Sequence, residues 1–375
     1  MPAVRNVLIV GGGIAGMTLA TALRQNAIGV ELIEINQDWD VLGIGIALQG
    51  ATLRALKTIG VLDPCVREGF AYTTLHVCHA DGREIGTVDL PPLLGPGYPE
   101  CVGIMRPTFH AILHAAMARA GVPARLGTSI ASLSQDTGGV EVEFTDGARG
   151  RYDLVVGADG VNSRVRALAF GEALKPVFSG QAVWRAMVPR PAHVTGRYFF
   201  HGPRNKAGVN PVSQTEMYIF LIENIPDNPR LSEADLPALL CAQLADFQGI
   251  LAEARQHVRR PEQIVYRPFS SILVPPPWHR GRVLLVGDAA HTATPHMGSG
   301  AGIAIEDTIV LAELLREDLA LEDALERFMA RRYERCRMVV EASNRLAQWD
   351  RTPGTPDADP VGVLARTNAR LAEPI

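Results

Sequence analysis

The sequence is poor in the features that mark a disulfide-rich, metal-binding or strongly charged protein. Its 5 cysteines are scattered, odd in number and without a Cys-x-x-Cys pair, which predicts neither a disulfide framework nor a zinc site. A formal net charge of -4 gives no basic field for nucleic acid or an anionic membrane. We therefore expect a cytoplasmic protein with a small-molecule partner, no metal, no nucleic acid and no membrane.

The chain also lacks an uninterrupted apolar segment near its start. Residues 6–23 carry no charge, as in a signal peptide or a membrane helix, but consecutive glycines interrupt them. No internal repeat and no low-complexity linker divides the 375 residues. Because 47% of the residues are hydrophobic, they suffice for the core of one large or two smaller domains.

The first informative pattern is a glycine-rich turn between a short apolar run and a helix of small residues. Gly11 permits a tight turn, Gly13 lets the backbone approach a pyrophosphate, and Gly16 lets the helix pack close to the strand. Glu34 follows at the spacing at which an acid binds the ribose hydroxyls, and this acid argues against a 2′-phosphate there. The pattern predicts FAD or NAD at the start of this helix.

Later segments extend the same architecture. Apolar runs at 154–156 and 283–286 predict further parallel strands that are covered on both faces. Helical spacing of apolar residues occurs at 107–120 and 302–316, and residues 321–346 predict one or two charged surface helices. These elements predict an α/β fold with a doubly covered parallel sheet.

A second domain, based on a mainly antiparallel sheet, interrupts the first. Residues 181–269 contain alternating and aromatic stretches between turn residues, and residues 72–90 have the same character around the hairpin signal Asp81-Gly82. The predicted boundaries assign residues 1–71, 102–176 and 270–351 to the nucleotide domain with C-terminal helices, 72–101 and 177–269 to the sheet domain, and 352–375 to a loosely held tail.

Two further motifs follow the first along the chain. The second is Asp159-Gly160 with Ser163 and Arg166, and the third is Gly287-Asp288-Ala289-Ala290-His291 followed by Pro295. In this order and spacing, the three motifs resemble those of the single-component FAD-dependent aromatic hydroxylases, the para-hydroxybenzoate hydroxylase-like flavoprotein monooxygenases. The resemblance covers nearly the whole chain and implies a Rossmann-type FAD-binding domain, interrupted by the sheet domain.

The resemblance implies a role for each motif in holding FAD. The first would hold the ADP half, the second would lie near the pyrophosphate, and Asp288 would bind the ribityl chain. Arg106 matches the family arginine that begins a helix against the phosphates. Glycines after Pro295 would let the backbone lie against the isoalloxazine ring. The implied FAD residues are Gly11, Gly13, Gly16, Glu34, Arg106, Asp159, Gly160, Gly287, Asp288, Gly298, Gly300, Ala301 and Gly302.

One departure narrows the resemblance. Many relatives have Gly-Gln-Gly followed by an Asn, whereas this chain has Gly298-Ser299-Gly300-Ala301-Gly302. The pair Pro295-His296 is similar to the salicylate hydroxylase and hydroxynicotinate hydroxylase branch. This similarity shifts the expected substrate toward a small carboxylated or nitrogen-containing aromatic compound.

The resemblance also implies a reaction. NADH or NADPH would act as a transient co-substrate that reduces FAD, and O2 would form a flavin C4a-hydroperoxide that hydroxylates an electron-rich ring. A base is wanted to activate the ring, and His296 beside Pro295 is the first candidate, with a structural histidine as the alternative. His291 is expected to pack or to form hydrogen bonds.

The pocket residues are expected on the middle sheet. Arg185 could hold a substrate carboxylate by a two-point contact, and a surface ion pair is the alternative. The aromatic residues could equally belong to the core. The candidate substrate residues are Trp184, Arg185, His201, Asn210, Tyr218 and Phe220.

Competing interpretations keep the nucleotide but change the chemistry. A halogenase-like enzyme is disfavoured because the 4 tryptophans form no Trp-x-Trp pair, and a reductase of lipid or polyketide would need a wider pocket. A non-catalytic binding module would not need the third motif, and an NAD dehydrogenase would not need a ribityl-binding Gly-Asp segment. The chain is expected to be a monomer or a homodimer.

Overall fold

The computed structural model describes residues 4–39 and 43–375. The strands follow one another as β1 (Asn6–Val10), β2 (Gly29–Ile33), β3 (Gly45–Gln49), β4 (Phe70–Tyr72), β5 (Thr74–His79), β6 (Glu84–Asp89), β7 (Cys101–Met105), β8 (Ala124–Arg125), β9 (Ile130–Gln135), β10 (Val140–Phe144), β11 (Arg149–Tyr152), β12 (Leu154–Gly157), β13 (Val177–Pro189), β14 (Arg197–His201), β15 (Lys206–Pro211), β16 (Glu216–Asn224), β17 (Ile264–Ser271), β18 (His279–Arg280) and β19 (Val283–Leu285).

The helices lie mostly between strands of the first sheet and at the end of the chain. They are α1 (Ile14–Gln25), α2 (Gly50–Thr58), α3 (Leu62–Glu68), α4 (Arg106–Arg119), α5 (Arg164–Phe170), α6 (Leu236–Gln243), α7 (Ile250–Arg255), α8 (Asp288–His291), α9 (Gly300–Arg316), α10 (Leu321–Arg351) and α11 (Pro360–Ala372). Short 3₁₀ turns occupy Glu233–Asp235, Pro261–Gln263 and Pro295–Met297. Within the described ranges, no helix is both long and apolar enough to cross a membrane.

The first sheet has the strand order β18-β19-β12-β1-β2-β8 and is parallel except for its edge strand β18. Its central strands are buried on both faces, as the continuous apolar runs predicted: Leu8, Val155 and Leu284 are each 0% exposed. The doubly covered parallel sheet is therefore confirmed, and the carboxyl ends of β1, β12 and β19 lie side by side.

The second large sheet has the order β17-β13-β16-β15-β14-β5-β6 and is antiparallel except between β14 and β5. The hairpin β5–β6 belongs to it, as the Asp81-Gly82 signal indicated. One face is covered by α6 and α7 and contains Trp184, Phe200 and Phe247. The opposite face, which we call the inner face, packs Val183, Tyr218 and Phe220 against Ile44 of the first domain. The predicted combination of a Rossmann-type domain and an antiparallel sheet is thus confirmed.

The structure adds elements that the sequence analysis did not identify. Strands β9, β10 and β11 form a small antiparallel sheet, and β3, β7 and β4 form another. Helices α6 and α7 lie within the region that predicted only strands. The C-terminal segment, expected to be loosely held, contains α11 instead. Arg54 donates hydrogen bonds to three carbonyl oxygens at the end of that helix, and such oxygens otherwise have no partner within a helix.

Candidate functional site

The first glycine turn has one closed side and one open side. Gly11 has φ +109°, and a Cβ there would lie 2.5 Å from the carbonyl oxygen of Ala158. A Cβ on Gly16 would overlap the carbonyl oxygen of Gly11. At Gly13, in contrast, an added Cβ would meet no atom of the described residues within 4 Å apart from its chain neighbours, and none of these residues caps α1 with its side chain. The free N–H groups of this helix therefore face open space, as a bound pyrophosphate requires.

Glu34 lies against the same turn. Its Oε2 accepts a hydrogen bond of 2.7 Å from the N–H of Gly12, and its Oε1 accepts one of 2.9 Å from the N–H of Asn36. His110 of α4 contacts the carbonyl oxygen of Gly12 at 3.1 Å. The acid thus stands beside the turn, where its expected role toward a ribose remains a prediction.

The Asp159-Gly160 motif builds a helix cap. The Asp159 carboxylate accepts hydrogen bonds from Ser163 Oγ at 2.5 Å and from the N–H groups of Arg164 at 2.7 Å and Val165 at 3.0 Å, which are the first residues of α5. Gly160 has φ +78°, and an added Cβ there would meet nothing within 4 Å. Asp159 therefore shapes the turn, while Gly160 is the member that borders open space.

The buried guanidinium of Arg166 joins the second motif to the third. It donates hydrogen bonds to the carbonyl oxygens of Val161 at 2.7 Å, Ala289 at 2.8 Å and Leu174 at 3.0 Å. Between the buried residues Gly287 and Ala289, the side chain of Asp288 is exposed. Arg106 at the start of α4 is a positive neighbour of this carboxylate. The expected phosphate and ribityl residues therefore come together.

Below this motif lies a set of buried ion pairs, which we call the closed network. His291 Nε2 contacts Asp307 Oδ2 at 2.6 Å, and Arg332 binds Asp307 at 2.8 Å and Glu306 at 3.0 Å. Arg335 binds Glu306 at 2.7 Å. These charges hold the third motif against α9 and α10, and they give His291 the structural role that was expected. His291, Asp307 and Cys336 are close enough to hold a metal, but Arg332 already donates to Asp307 Oδ1 and to Cys336 Sγ.

The charges of the closed network shift one another's protonation. Asp307 is buried, which would raise its pKa, but His291 and Arg332 outweigh this and lower the pKa to about 2. The pKa of His291 is raised well above its usual value, because its acidic neighbours outweigh the effect of burial. Both groups are therefore charged at neutral pH.

The turn before α9 ends in another uncapped helix start. Gly298 has φ +62°, and the Ser299 hydroxyl donates to the carbonyl oxygen of Met297 rather than capping the helix. Among the described residues outside its own helix and chain neighbours, none lies within 4 Å of an added Cβ on Gly300, whereas Gly302 packs against Thr52 of α2. Ala301 is half-buried in the first turn of α9. Gly300 thus fits the expected approach of a flavin ring, and Gly302 serves helix packing. Gly298 serves the left-handed turn, and a Cβ there would lie 2.8 Å from Gln49 Nε2.

Taken together, these features show whether the residues of the site fit FAD. The starts of α1 and α9 are free of side-chain caps, and the positions of Gly13, Gly160 and Gly300 leave room for a ligand. The exposed Asp288 carboxylate belongs to the motif between them. A long ligand with a pyrophosphate, a polyol and an electron-accepting ring matches this series of groups, so the residues fit FAD.

Four arginines border the inner face, and we call Arg106, Arg185, Arg197 and Arg267 the arginine cluster. Apart from burial, the charge of Arg185 is influenced most by Tyr218 and by the other three arginines. Burial lowers the pKa of Arg185, since desolvation disfavours its charge. Arg197 lies 4.5 Å from the ring centroid of Phe199. The Nε atoms of Arg185 and Arg197 are buried and have no hydrogen-bond partner in the part of the chain that the structure describes, which leaves donors available for an anionic ligand.

Most predicted substrate residues share the inner face. Tyr218 and Phe220 are 4% and 6% exposed and have their ring centroids 6.3 Å apart. Asn210 is buried and accepts a hydrogen bond of 2.8 Å from the Tyr72 hydroxyl, while its own Nδ2 has no partner. His201 is exposed at the end of β14. Trp184 lies on the opposite face, where its indole N–H donates to Glu223, so the structure does not place it in the pocket.

His296 lies in the 3₁₀ turn that follows Pro295. Its Nδ1 contacts Thr294 Oγ1 at 3.0 Å, its Nε2 lies 3.5 Å from Asp350 Oδ2, and its ring is 6.2 Å from that of Phe269 on the inner face. Because both ring nitrogens face protein groups, a direct proton transfer from substrate would require the ring to turn.

Several charged residues of this region were not predicted from the sequence as site residues. Arg267 alternates with Val265 and Phe269 on β17, and Arg197 stands two residues before Phe199 on β14. A charged residue at an inward position of an alternating strand is a signal that could have identified both. Asp350 and Lys206 have no local signal, because the fold alone brings them to His296.

Comparison with known proteins shows which family and which proteins this chain is similar to. Residues 5–343 match the family model described as "FAD binding domain". The 2-heptyl-3-hydroxy-4(1H)-quinolone synthase of Pseudomonas aeruginosa (strain UCBPP-PA14) is 32% identical over 357 residues, which cover 92% of this chain and 90% of that protein. The 6-hydroxynicotinate 3-monooxygenase of Bordetella bronchiseptica is 26% identical over 370 residues, covering 94% and 93%.

Among solved structures, the chain is similar to Klebsiella pneumoniae HpxO complexed with FAD and uric acid. The TM-score is 0.85 and the sequence identity is 22%, with 98% of this chain and 93% of that chain covered. At this identity, the similarity concerns the fold.

Proposed function

This chain belongs to the FAD-binding domain family and is an FAD-dependent monooxygenase, and we propose that it uses NAD(P)H and O2 to hydroxylate a small anionic aromatic or N-heteroaromatic substrate. The observation that carries the substrate class is the arginine cluster, which stands beside aromatic rings at the inner face. A substrate with a carboxylate or an acidic ring nitrogen would supply negative charge to Arg185 and Arg197.

The relatives support the chemical class of the substrate. The Bordetella relative is named for 6-hydroxynicotinate, and the HpxO structure contains uric acid. Both compounds are small nitrogen heterocycles. The pair Pro295-His296, which pointed to the hydroxynicotinate hydroxylase branch, supports the same class in this chain.

The chain's own residues would bind and orient the reactants. Arg185 and Arg197 would hold the anionic group of the substrate, and Phe199 and Phe220 would hold its ring. The uncapped start of α9 would stabilise negative charge on the adjacent edge of the flavin. The buried inner face would exclude water. When bound, FAD supplies electron transfer from the nicotinamide and the activation of O2.

The test is oxidation of NADH and of NADPH by the purified holoenzyme over a panel of hydroxylated and aminated aromatic acids and N-heterocycles. Oxygen uptake and peroxide release are followed together. We expect one compound to accelerate oxidation while peroxide stays well below the NAD(P)H consumed, and its product to gain one oxygen atom by mass. If no compound accelerates oxidation, or if all electrons appear as peroxide, the hydroxylase assignment fails and a reductase or halogenase-like activity takes its place.

A further inference from the structure

A buried acid faces His296 from the end of α10. The side chain of Asp350 is 11% exposed and lies 3.5 Å from His296 Nε2 through its Oδ2, while its Oδ1 is paired with the Lys206 ammonium. Within residues 4–39 and 43–375, neither His296 Nε2 nor Asp350 Oδ2 has a hydrogen-bond partner. Two unpartnered buried atoms of opposite polarity therefore stand within a small movement of a hydrogen bond.

The position of Asp350 would be unfavourable without these partners. It is the penultimate residue of a helix, where the negative end of the helix dipole repels an acid. Burial also raises the pKa of Asp350, but His296 and Lys206 outweigh this, so the pKa is lowered. The carboxylate is thus kept ionised by the Lys206 ammonium and the neighbouring His296 ring, which come from different parts of the fold.

We propose that Asp350 is a positioning residue of the active site, which fixes the ring of His296 and sets the pH at which His296 takes up a proton. Lys206 holds the carboxylate in place and opposes the charge of the imidazolium. The effect on turnover rests on the proposed function, because only a bound substrate would experience the charge of His296. The effect on the protonation of His296 does not depend on the proposed function.

Groups from each neighbouring element contribute to this protonation. Asp350 comes from α10, Lys206 from β15 and Phe269 from β17, and Thr294 lies on the same turn as His296. His201 on β14 lies near Lys206 and Asp350, and its pKa is lowered by the partial desolvation of its ring and by Lys206. Asp350 is the one of these groups that favours the imidazolium, and Lys206 disfavours it. Removal of Asp350 should therefore lower the pKa of His296, whereas removal of Lys206 should raise it.

The first experiment is an NMR titration of histidine-labelled holoenzyme, with His296→Gln used to assign the His296 signal. We expect Asp350→Asn to lower the pKa of His296 by about 1 unit, because an opposite charge at this distance is lost. Lys206→Met should raise it. Glu341→Gln, which removes an exposed acid from the same helix, should leave it unchanged. An unchanged titration in Asp350→Asn, or a fall in both variants, overturns the proposal.

A second measurement separates this proposal from the proposed function. If an aromatic substrate is hydroxylated, the rising limb of the pH profile of kcat should move to lower pH in Asp350→Asn and to higher pH in Lys206→Met. If no substrate is found, the hydroxylase assignment fails while the NMR titration still decides the role of Asp350. If Asp350→Asn lowers the unfolding midpoint and leaves the His296 titration intact, the pair is structural only and the proposal is wrong.

Discussion

Two groups of charges in this molecule differ in how they are balanced. In the closed network, the charges of Arg332, Asp307 and Glu306 pair with one another beneath the third motif. In the arginine cluster, the guanidinium of Arg185 experiences the charges of three other arginines, and its Nε has no partner among the described residues. A buried charge with every partner in place stabilises an arrangement of helices, whereas one without a partner is available for a ligand. Burial alone therefore does not separate structural from functional charges.

The largest effect should come from breaking the closed network. In Arg332→Met, Asp307 and Glu306 lose their shared cation inside the protein, so the free energy of unfolding should fall by roughly 3–5 kcal/mol. Urea denaturation measures this change. Arg337→Met removes an arginine from the exposed side of the same helix and should barely move the midpoint. Equal losses in the two variants would contradict the distinction.

Loss of an arginine from the arginine cluster should weaken ligand binding and leave the stability of the protein unchanged. Arg185→Met removes a charge that has no acidic partner among the described residues, so the unfolding midpoint should not fall, while the dissociation constant of an anionic aromatic ligand should rise roughly 10–100-fold. Titration of the flavin absorbance measures the binding. Arg204→Met, which changes an exposed arginine paired with Asp246, is the matched control and should bind normally. A destabilised Arg185→Met with intact binding would assign Arg185 to the structure.

The closed network should also give the protein a pH dependence. The folded pKa of Asp307 is lowered to about 2. Its stabilising contribution is therefore complete above its unfolded pKa near 4 and is lost as the pH falls toward 2. The raised pKa of His291 acts with opposite sign, because that contribution is lost as the pH rises. The free energy of unfolding should fall less steeply below pH 4 in Asp307→Asn than in the unaltered chain.

The same distinction separates two glycines of the first turn. A Cβ on Gly16 would overlap the backbone, so Gly16→Ala should lower the stability of the apoprotein by about 1–3 kcal/mol. Gly13→Ala meets no protein atom and should leave the apoprotein unchanged, but it should weaken FAD binding, measured by retained flavin after dialysis. Retention of flavin in Gly13→Ala would show that no ligand approaches this position.

A structural feature could be predicted from the sequence when the residues that determine it lie close together along the chain. The turn from Gly11 to Gly16 and the strands on either side were predictable, because a tight turn and a buried strand require residue types at fixed short spacing. The cap formed by Asp159 was visible as a motif, although its hydrogen bonds show that it binds backbone of α5.

Charge pairs between distant elements could not be predicted. Asp307 and His291 are separated by 16 residues, and Asp350 meets Lys206 across 144 residues. These pairs depend on helix packing and on strand register, which a single sequence does not encode locally. The arginine cluster is intermediate, since Arg185 was identified but Arg197 and Arg267 required the register of the sheet.

The most direct test of the account compares the binding of matched aromatic acids and their amides to the holoenzyme by flavin absorbance. Each pair has the same ring and differs in charge, so it isolates the role of the arginine cluster. We expect the acid to bind at least about tenfold more tightly than its amide, and this preference to disappear in Arg185→Met. Equal binding of acid and amide, or a preference that survives in Arg185→Met, would contradict the account.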